Sequence, residues 1–295
     1  MGIAELGTHR VLGNWGRSVR GLAAVALLVT APLAGAEALP QISIVIDDLG
    51  EQRDAGWRAL QLPGKLAYAF LPNTRYAEEQ ARAAHHTGKE VLLHLPLQAQ
   101  TGRLYETGIS EHSSRDEVIQ QLRAGLASVP HVRGVNNHQG SLLTERVLHM
   151  DWLMSALRDL GGYYFLDSRT TASSVAYATA RSYGLPSTTR NIFLDTRQDA
   201  AFVAEQFHKL IRLARRNGQA LAIGHPYPET LRVLERELRQ LPAHGVQLVW
   251  PSELIHRRQP QYRVQTTLRP SQSQSFTSSL RLSTRPTLPQ PRTAK

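Results

Sequence analysis

The chain has 295 residues, a formal charge of +10 and no cysteine, which excludes a thiolate nucleophile, a disulfide framework and a thiolate-ligated metal. The excess charge sits at the ends: residues 1–36 carry three arginines and one glutamate, and residues 257–295 carry seven arginines, one lysine and no acid. The 37–256 segment between them holds 23 bases and 23 acids, so it lacks the basic footprint of a nucleic-acid-binding domain.

In chain order, Arg10, Arg17 and Arg20 precede an apolar run from Gly21 to Ala31 and the small residues Ala34, Gly35 and Ala36, the order of a signal peptide cleaved after Ala36. The run is shorter than the ~20 residues that span a bilayer. No later segment is longer and equally apolar. The mature chain is therefore expected to be exported, to the periplasm or beyond, with no membrane span after signal removal.

Residues 37–256 are long enough for one sizeable core. The first short apolar run, Ile42–Ile46, ends at Asp47 and Asp48; a second covers Leu66–Leu71; a third, Val91–Leu95, contains His94. Ser114 with Glu117 forms a capping-box pattern and predicts a helix start. Gly134 to Asn137 then leads into His138, Gln139, Gly140 and Ser141. Val147, Met150, Met154 and Leu157 fall at helical spacing. Tyr163–Leu166 ends at Asp167 and Ser168, Asn191–Leu194 ends at Asp195, and Ala220–Ile223 leads through Gly224 to His225. Leu231, Leu234, Leu238 and Leu241 mark another helix before a last run, Val246–Trp250. Beyond it, residues 257–295 are rich in Ser, Thr, Gln, Pro and Arg, a composition that buries too little apolar surface to offset ordering entropy. This tail is expected to be disordered and solvated with no partner, contact with anionic envelope surfaces being the second reading.

Seven strand-like runs alternating with helical periods predict an α/β domain of mostly parallel strands, either a barrel or an open doubly wound sheet. No glycine-rich phosphate loop follows the first strand, which argues against a dinucleotide site. Six strand ends carry titratable side chains at the edge where α/β proteins place their active sites. Asp48, His94 and His138 make a three-ligand set for a divalent metal, and the nitrogen–oxygen donors suit zinc. Asp47 is then the candidate base for a bound water and His225 the candidate acid for a departing amine, with Asp167 holding an imidazole in its working tautomer. Asn137, Ser141 and Asp195 are candidate substrate contacts. Competing structural roles exist: Asp167 and Asp195 as helix caps, Asn136 and Asn137 as turn residues. His85, His86, His112, His131, His149, His208 and His244 lie away from strand ends and are expected on surfaces or helices.

The segments IDDLG at 46–50, GKEVLLHLPL at 88–97, GVNNHQGS at 134–141, FLDSRT at 165–170, NIFLD at 191–195 and AIGHPYPET at 222–230 together resemble the divergent polysaccharide deacetylase family over nearly all of residues 41–255. The resemblance implies a deformed β/α barrel, with Asp47 as base, Asp48 as metal ligand and His225 as acid. The family's name alone implies no substrate; the wider deacetylase group implies an acetylated polysaccharide or peptidoglycan-like one. The wider deacetylase group has two histidines four residues apart after the third strand; here His94 is followed by Gln98, and His138 is the replacement donor. Gln139 stands where the divergent family usually has methionine.

Three functions follow. The first is a metal-dependent deacetylase. The second is a catalytically inactive glycan- or protein-binding regulatory domain on the same scaffold, suggested by Gln98. The third is a glycosidase, which needs Asp47 and Asp167 to face each other across a cleft at roughly 5 to 9 Å.

Overall fold

The computed structural model describes residues 39–102 and 104–258. The signal peptide expected at 1–36 and all but the first two residues of the tail expected at 257–295 lie outside them. Nine parallel strands and eight α-helices alternate through the described residues. The strands are β1 (Gln41–Leu49), β2 (Ala67–Phe70), β3 (Glu90–Leu97), β4 (Val132–Gln139), β5 (Tyr164–Asp167), β6 (Ser187–Thr189), β7 (Ile192–Phe193), β8 (Gln219–Gly224) and β9 (Gln247–Leu248). The helices are α1 (Arg53–Leu60), α2 (Ala77–His86), α3 (Arg115–Ser128), α4 (Val147–Leu160), α5 (Ala176–Ser182), α6 (Ala200–Asn217), α7 (Pro228–Arg239) and α8 (Pro251–Arg258). Helix α8 ends at Arg258, two residues beyond the boundary expected at 256.

The strand order is β6-β5-β4-β3-β2-β1-β8-β7, with β9 pairing β1 beside that path. Among the described residues no pairing joins β6 to β7, so the sheet curls into a barrel that stays open at one seam. The count is nine against the seven expected. Two strands escaped the sequence pattern: β4, whose VRGVNNHQ is half polar, and β6, which is only STT.

Strand alternation divides the core in two. Ile42, Ile44, Ile46, Tyr68, Phe70, Leu93, Val135 and Phe165 face outward to helix residues such as Ala81, Leu122, Leu153, Phe207 and Leu234. Val45, Ala67, Ala69, Leu92, Tyr164, Leu166, Leu221 and Ile223 face inward and meet Ile255 of α8. With ~25 cal/mol gained per Å² of apolar surface buried, both faces of each strand favour this curl. At the N-terminal end of the strands, Glu90 is buried and accepts from the Tyr164 hydroxyl at 2.9 Å and from the Ser252 hydroxyl of α8. Gly134 is required on the inner face of β4, because a Cβ there would lie 2.5 Å from the Tyr164 ring.

The helix signals behave as expected. Ser114 accepts from the Glu117 N–H while Glu117 returns a bond to the Ser114 N–H, the full capping box of α3. Met150, Met154 and Leu157 bury the inner face of α4, although Val147, at the first position, stays exposed.

Candidate metal-binding hydrolase site

The same alternation decides which strand-end residues meet. On β1, Asp47 shares the inward face of Val45; on β3, His94 shares that of Leu92; on β4, Asn136 and His138 share that of Gly134. After β7 and β8, Asp195 and His225 fall in step with inward Phe193 and Ile223. Asp48 belongs to the opposite face by parity. It joins the site because the register between β1 and β2 shifts between Ile46 and Leu49, and Asp48 takes φ +58°. A non-glycine residue in that region costs of order 1–3 kcal/mol, and this one turns a second carboxylate toward the same centre as the first.

Three donor atoms converge there. Asp48 Oδ1 lies 3.1 Å from His94 Nε2 and 2.9 Å from His138 Nδ1, and the two nitrogens are 3.2 Å apart. Asn136 Oδ1 accepts the His94 Nδ1 proton at 2.8 Å, which leaves the Nε2 lone pair facing the cluster. Two imidazole lone pairs and a carboxylate oxygen cannot face one another bare; a proton or a cation must lie among them. Four ligands at ~2.0–2.1 Å around zinc would be ~3.3 Å apart, so the observed triangle fits such an ion with a few tenths of an ångström of expansion. Neutral nitrogen plus carboxylate is the matching donor chemistry.

Asn136 continues the network: its amide nitrogen donates to both Asp47 oxygens, at 2.9 and 3.1 Å. Asp47 is buried, and burial raises its carboxyl above the ordinary range, opposed by His94, His225 and the Asn136 bond. Asp48 is held well below its ordinary value; burial works against that, but bonds and charges from His138 and His94 outweigh it. His225 sits opposite, its Nε2 3.8 Å from Asp48 Oδ2. Its Nδ1 bonds Asp195 Oδ1 at 2.9 Å. Burial disfavours the imidazolium, yet the Asp195 bond and charge, with Asp48 and Asp47 behind it, push the pKa up to about 9.

Several expected roles change hands. Asp167 follows Phe165 to the outer face, where it accepts from Arg169 N, Ser174 Oγ and Tyr177 N. It therefore braces the loop into α5 and holds no imidazole, and its direction opposes a two-carboxylate glycosidase cleft with Asp47. The orienting carboxylate is Asp195, which also accepts from His225 N and Thr230 Oγ1 and so is neither a substrate contact nor a helix cap; α6 is capped by Asp199. Asn137 is buried and spends its amide on Gln139 O and Ser168 N, which removes it from substrate contact. Ser141 Oγ accepts from Gln100 N and steadies the loop after β3. Gln98 does likewise, accepting from Glu111 N, and is no part of the donor cluster.

The residues that sequence reasoning missed are Asn136, placed inward by strand parity instead of in a turn, and the walls of the opening. A cavity of about 380 Å³ borders Asp48 and His225 and is lined by Glu51, Asp54, Arg58 and Tyr227 among others. Tyr105 stands edge-on to His138, ring centroids 5.1 Å apart, and donates to Glu51 at 2.8 Å.

The family model for divergent polysaccharide deacetylase matches residues 44–255. The chain belongs to that family. It is 37% identical over 241 residues to the uncharacterized protein YibQ of Escherichia coli, across 81% of this chain and 73% of that protein. It is 35% identical over 221 residues to an uncharacterized protein of Haemophilus influenzae, across 73% and 78%. The crystal structure of an uncharacterized protein from Agrobacterium tumefaciens C58 shares the fold, with a TM-score of 0.70 at 24% identity over 76% of this chain and 92% of the other. The half-open β/α barrel of this family member is thus the fold its sequence motifs implied.

Proposed function

We propose that the protein is a metal-dependent amide hydrolase that removes N-acetyl groups from an envelope carbohydrate, peptidoglycan-like, in the periplasm or outside the cell. The observation that carries this is the meeting, at one strand edge, of the Asp48–His94–His138 donor triangle with a buried carboxylate, Asp47, and with the His225–Asp195 pair. A zinc ion held by the triangle would supply Lewis-acid polarisation of the acetyl carbonyl and a water acidified toward neutrality.

The chain's own residues do the rest. Asp47, basic for a carboxylate and fixed by Asn136, removes the proton of the attacking water. His225, protonated at neutral pH, delivers its Nε2 proton to the departing amine while Asp195 fixes its Nδ1 tautomer. Glu51 and Asp54 give the cavity wall a negative character that suits the ammonium left on the sugar after deacetylation. Family membership supports carbohydrate as the substrate class. Export is supported by the basic, apolar and small-residue order of residues 1–36.

Asp47→Asn tests the assignment, since it preserves shape but not basicity. It is expected to retain zinc in equilibrium dialysis and to release acetate from N-acetylglucosamine oligomers at least ~100-fold more slowly. An unchanged rate removes Asp47 as the base.

A further inference from the structure

Away from the strand-edge cluster, two histidines expected on surfaces or helices, His208 and His244, come together with Glu237. His208 projects from α6, Glu237 from α7, and His244 from the 3-10 turn Leu241–His244. Glu237 Oε2 lies 3.4 Å from His208 Nε2 and 4.0 Å from His244 Nε2, and the three donor atoms are all within 4.8 Å of one another. The Glu237 side chain is only 6% exposed, against 46% for His208 and 27% for His244. Its other oxygen, Oε1, takes both Arg236 bonds, at 3.0 and 2.7 Å, leaving Oε2 to the imidazoles.

His244 Nε2 is itself buried and has no hydrogen-bond partner. A buried polar nitrogen left without a partner costs of order 1–3 kcal/mol, and this one stands 4.0 Å from a carboxylate oxygen. The spacing is wrong for direct pairing, because charge-assisted N–H···O bonds close to ~2.7–2.9 Å. It is right for an ion between the groups: with bonds of ~2.1 Å, ligand atoms lie between ~3 Å (adjacent) and ~4.2 Å (opposite).

We infer that His208, Glu237 and His244 form a second metal site, separate from the strand-edge cluster, for a zinc-like first-row divalent ion. Two imidazoles and one carboxylate select such an ion over magnesium or calcium, which prefer all-oxygen shells. The exposed side leaves its remaining positions to water. The ion clamps α6 to α7, the two helices that flank β8 in the chain, and β8 delivers His225 to the strand edge.

Zinc titration of the full chain, followed by metal analysis after gel filtration, is the test. Wild type is expected to hold two equivalents, Asp48→Ala/His138→Ala one, and the same variant with His208→Gln none. Should the strand-edge variant fail to fold, His208→Gln/His244→Gln alone is expected to take wild type from two equivalents to one. Zinc should also raise the Tm of Asp48→Ala/His138→Ala by roughly 5 °C at saturation and protect both histidines from diethyl pyrocarbonate. One equivalent in wild type that His208→Gln abolishes supports this site while contradicting the strand-edge metal. Stoichiometry indifferent to His208→Gln and His244→Gln, or histidines modified equally fast with and without zinc, overturns it.

Discussion

Asp47 and Asp48 are neighbours in sequence, and on a regular strand they would point to opposite faces. The φ of +58° at Asp48 removes that conflict, as does φ +54° at Gln139 for the backbone that turns just past His138. The sequence marked the right pair but could not reveal the device, because aspartate in this conformation leaves no pattern beyond being aspartate. Asp167 and Asp195 teach the converse. Both end an apolar run, yet parity sends one to the helices and the other to His225. That parity was hard to read because strands buried on both faces show no polar alternation. The exchange of roles gives a contrast. Asp195→Asn is expected to lower kcat by about 100-fold or more, because His225 loses its orienting carboxylate. Asp167→Asn, which touches only its own loop, should leave kcat within about threefold and lower Tm. Steady-state acetate release with thermal melts of both variants checks this.

Among the elements, the strands that were legible are those made of continuous apolar residues. β4 was counted as a strand end through its chemistry and not among the apolar runs: Gly134 is there for the Tyr164 ring and Asn136 for Asp47, and neither residue type favours a strand. Helix α3, by contrast, announced its first turn. Ser114→Ala is expected to cost about 1 kcal/mol, within the ~0.5–2 kcal/mol seen for lost caps, as a lower urea midpoint at unchanged slope. At the other end of the barrel, Glu90 ties β3 to β5 and α8, and burial raises its pKa above 4.5 despite bonds from Ser252 and Tyr164. An acid with a raised native pKa binds its proton more tightly when folded. Its contribution to stability is therefore fully present below the unfolded value, and is lost as pH rises toward the native one. Glu90→Gln should remove that part of the decline, and urea denaturation between pH 4 and 8 would show a flatter profile than wild type; an identical slope would exclude Glu90 from it.

For the whole molecule, the net +10 resolves into two basic ends and a neutral 37–256 segment, which therefore lacks a nucleic-acid footprint. Runs and periods alone left two α/β architectures open and the family resemblance pointed to the barrel; the order β6-β5-β4-β3-β2-β1-β8-β7 and the open seam needed coordinates, because parallel pairings between distant segments leave no local trace. The described residues include no helix long and apolar enough to cross a membrane. Segments as far apart as Asp48 and His225 reach one centre only because the curl brings β8 beside β1. Acetate release from N-acetylglucosamine oligomers by the full chain, stripped with chelator and then reloaded with zinc, tests the central claim most directly. The account predicts turnover that vanishes on stripping, returns on reloading, and fails to return in Asp48→Ala. Zinc bound at the strand edge with no acetate released, or release indifferent to both stripping and Asp48→Ala, would contradict it.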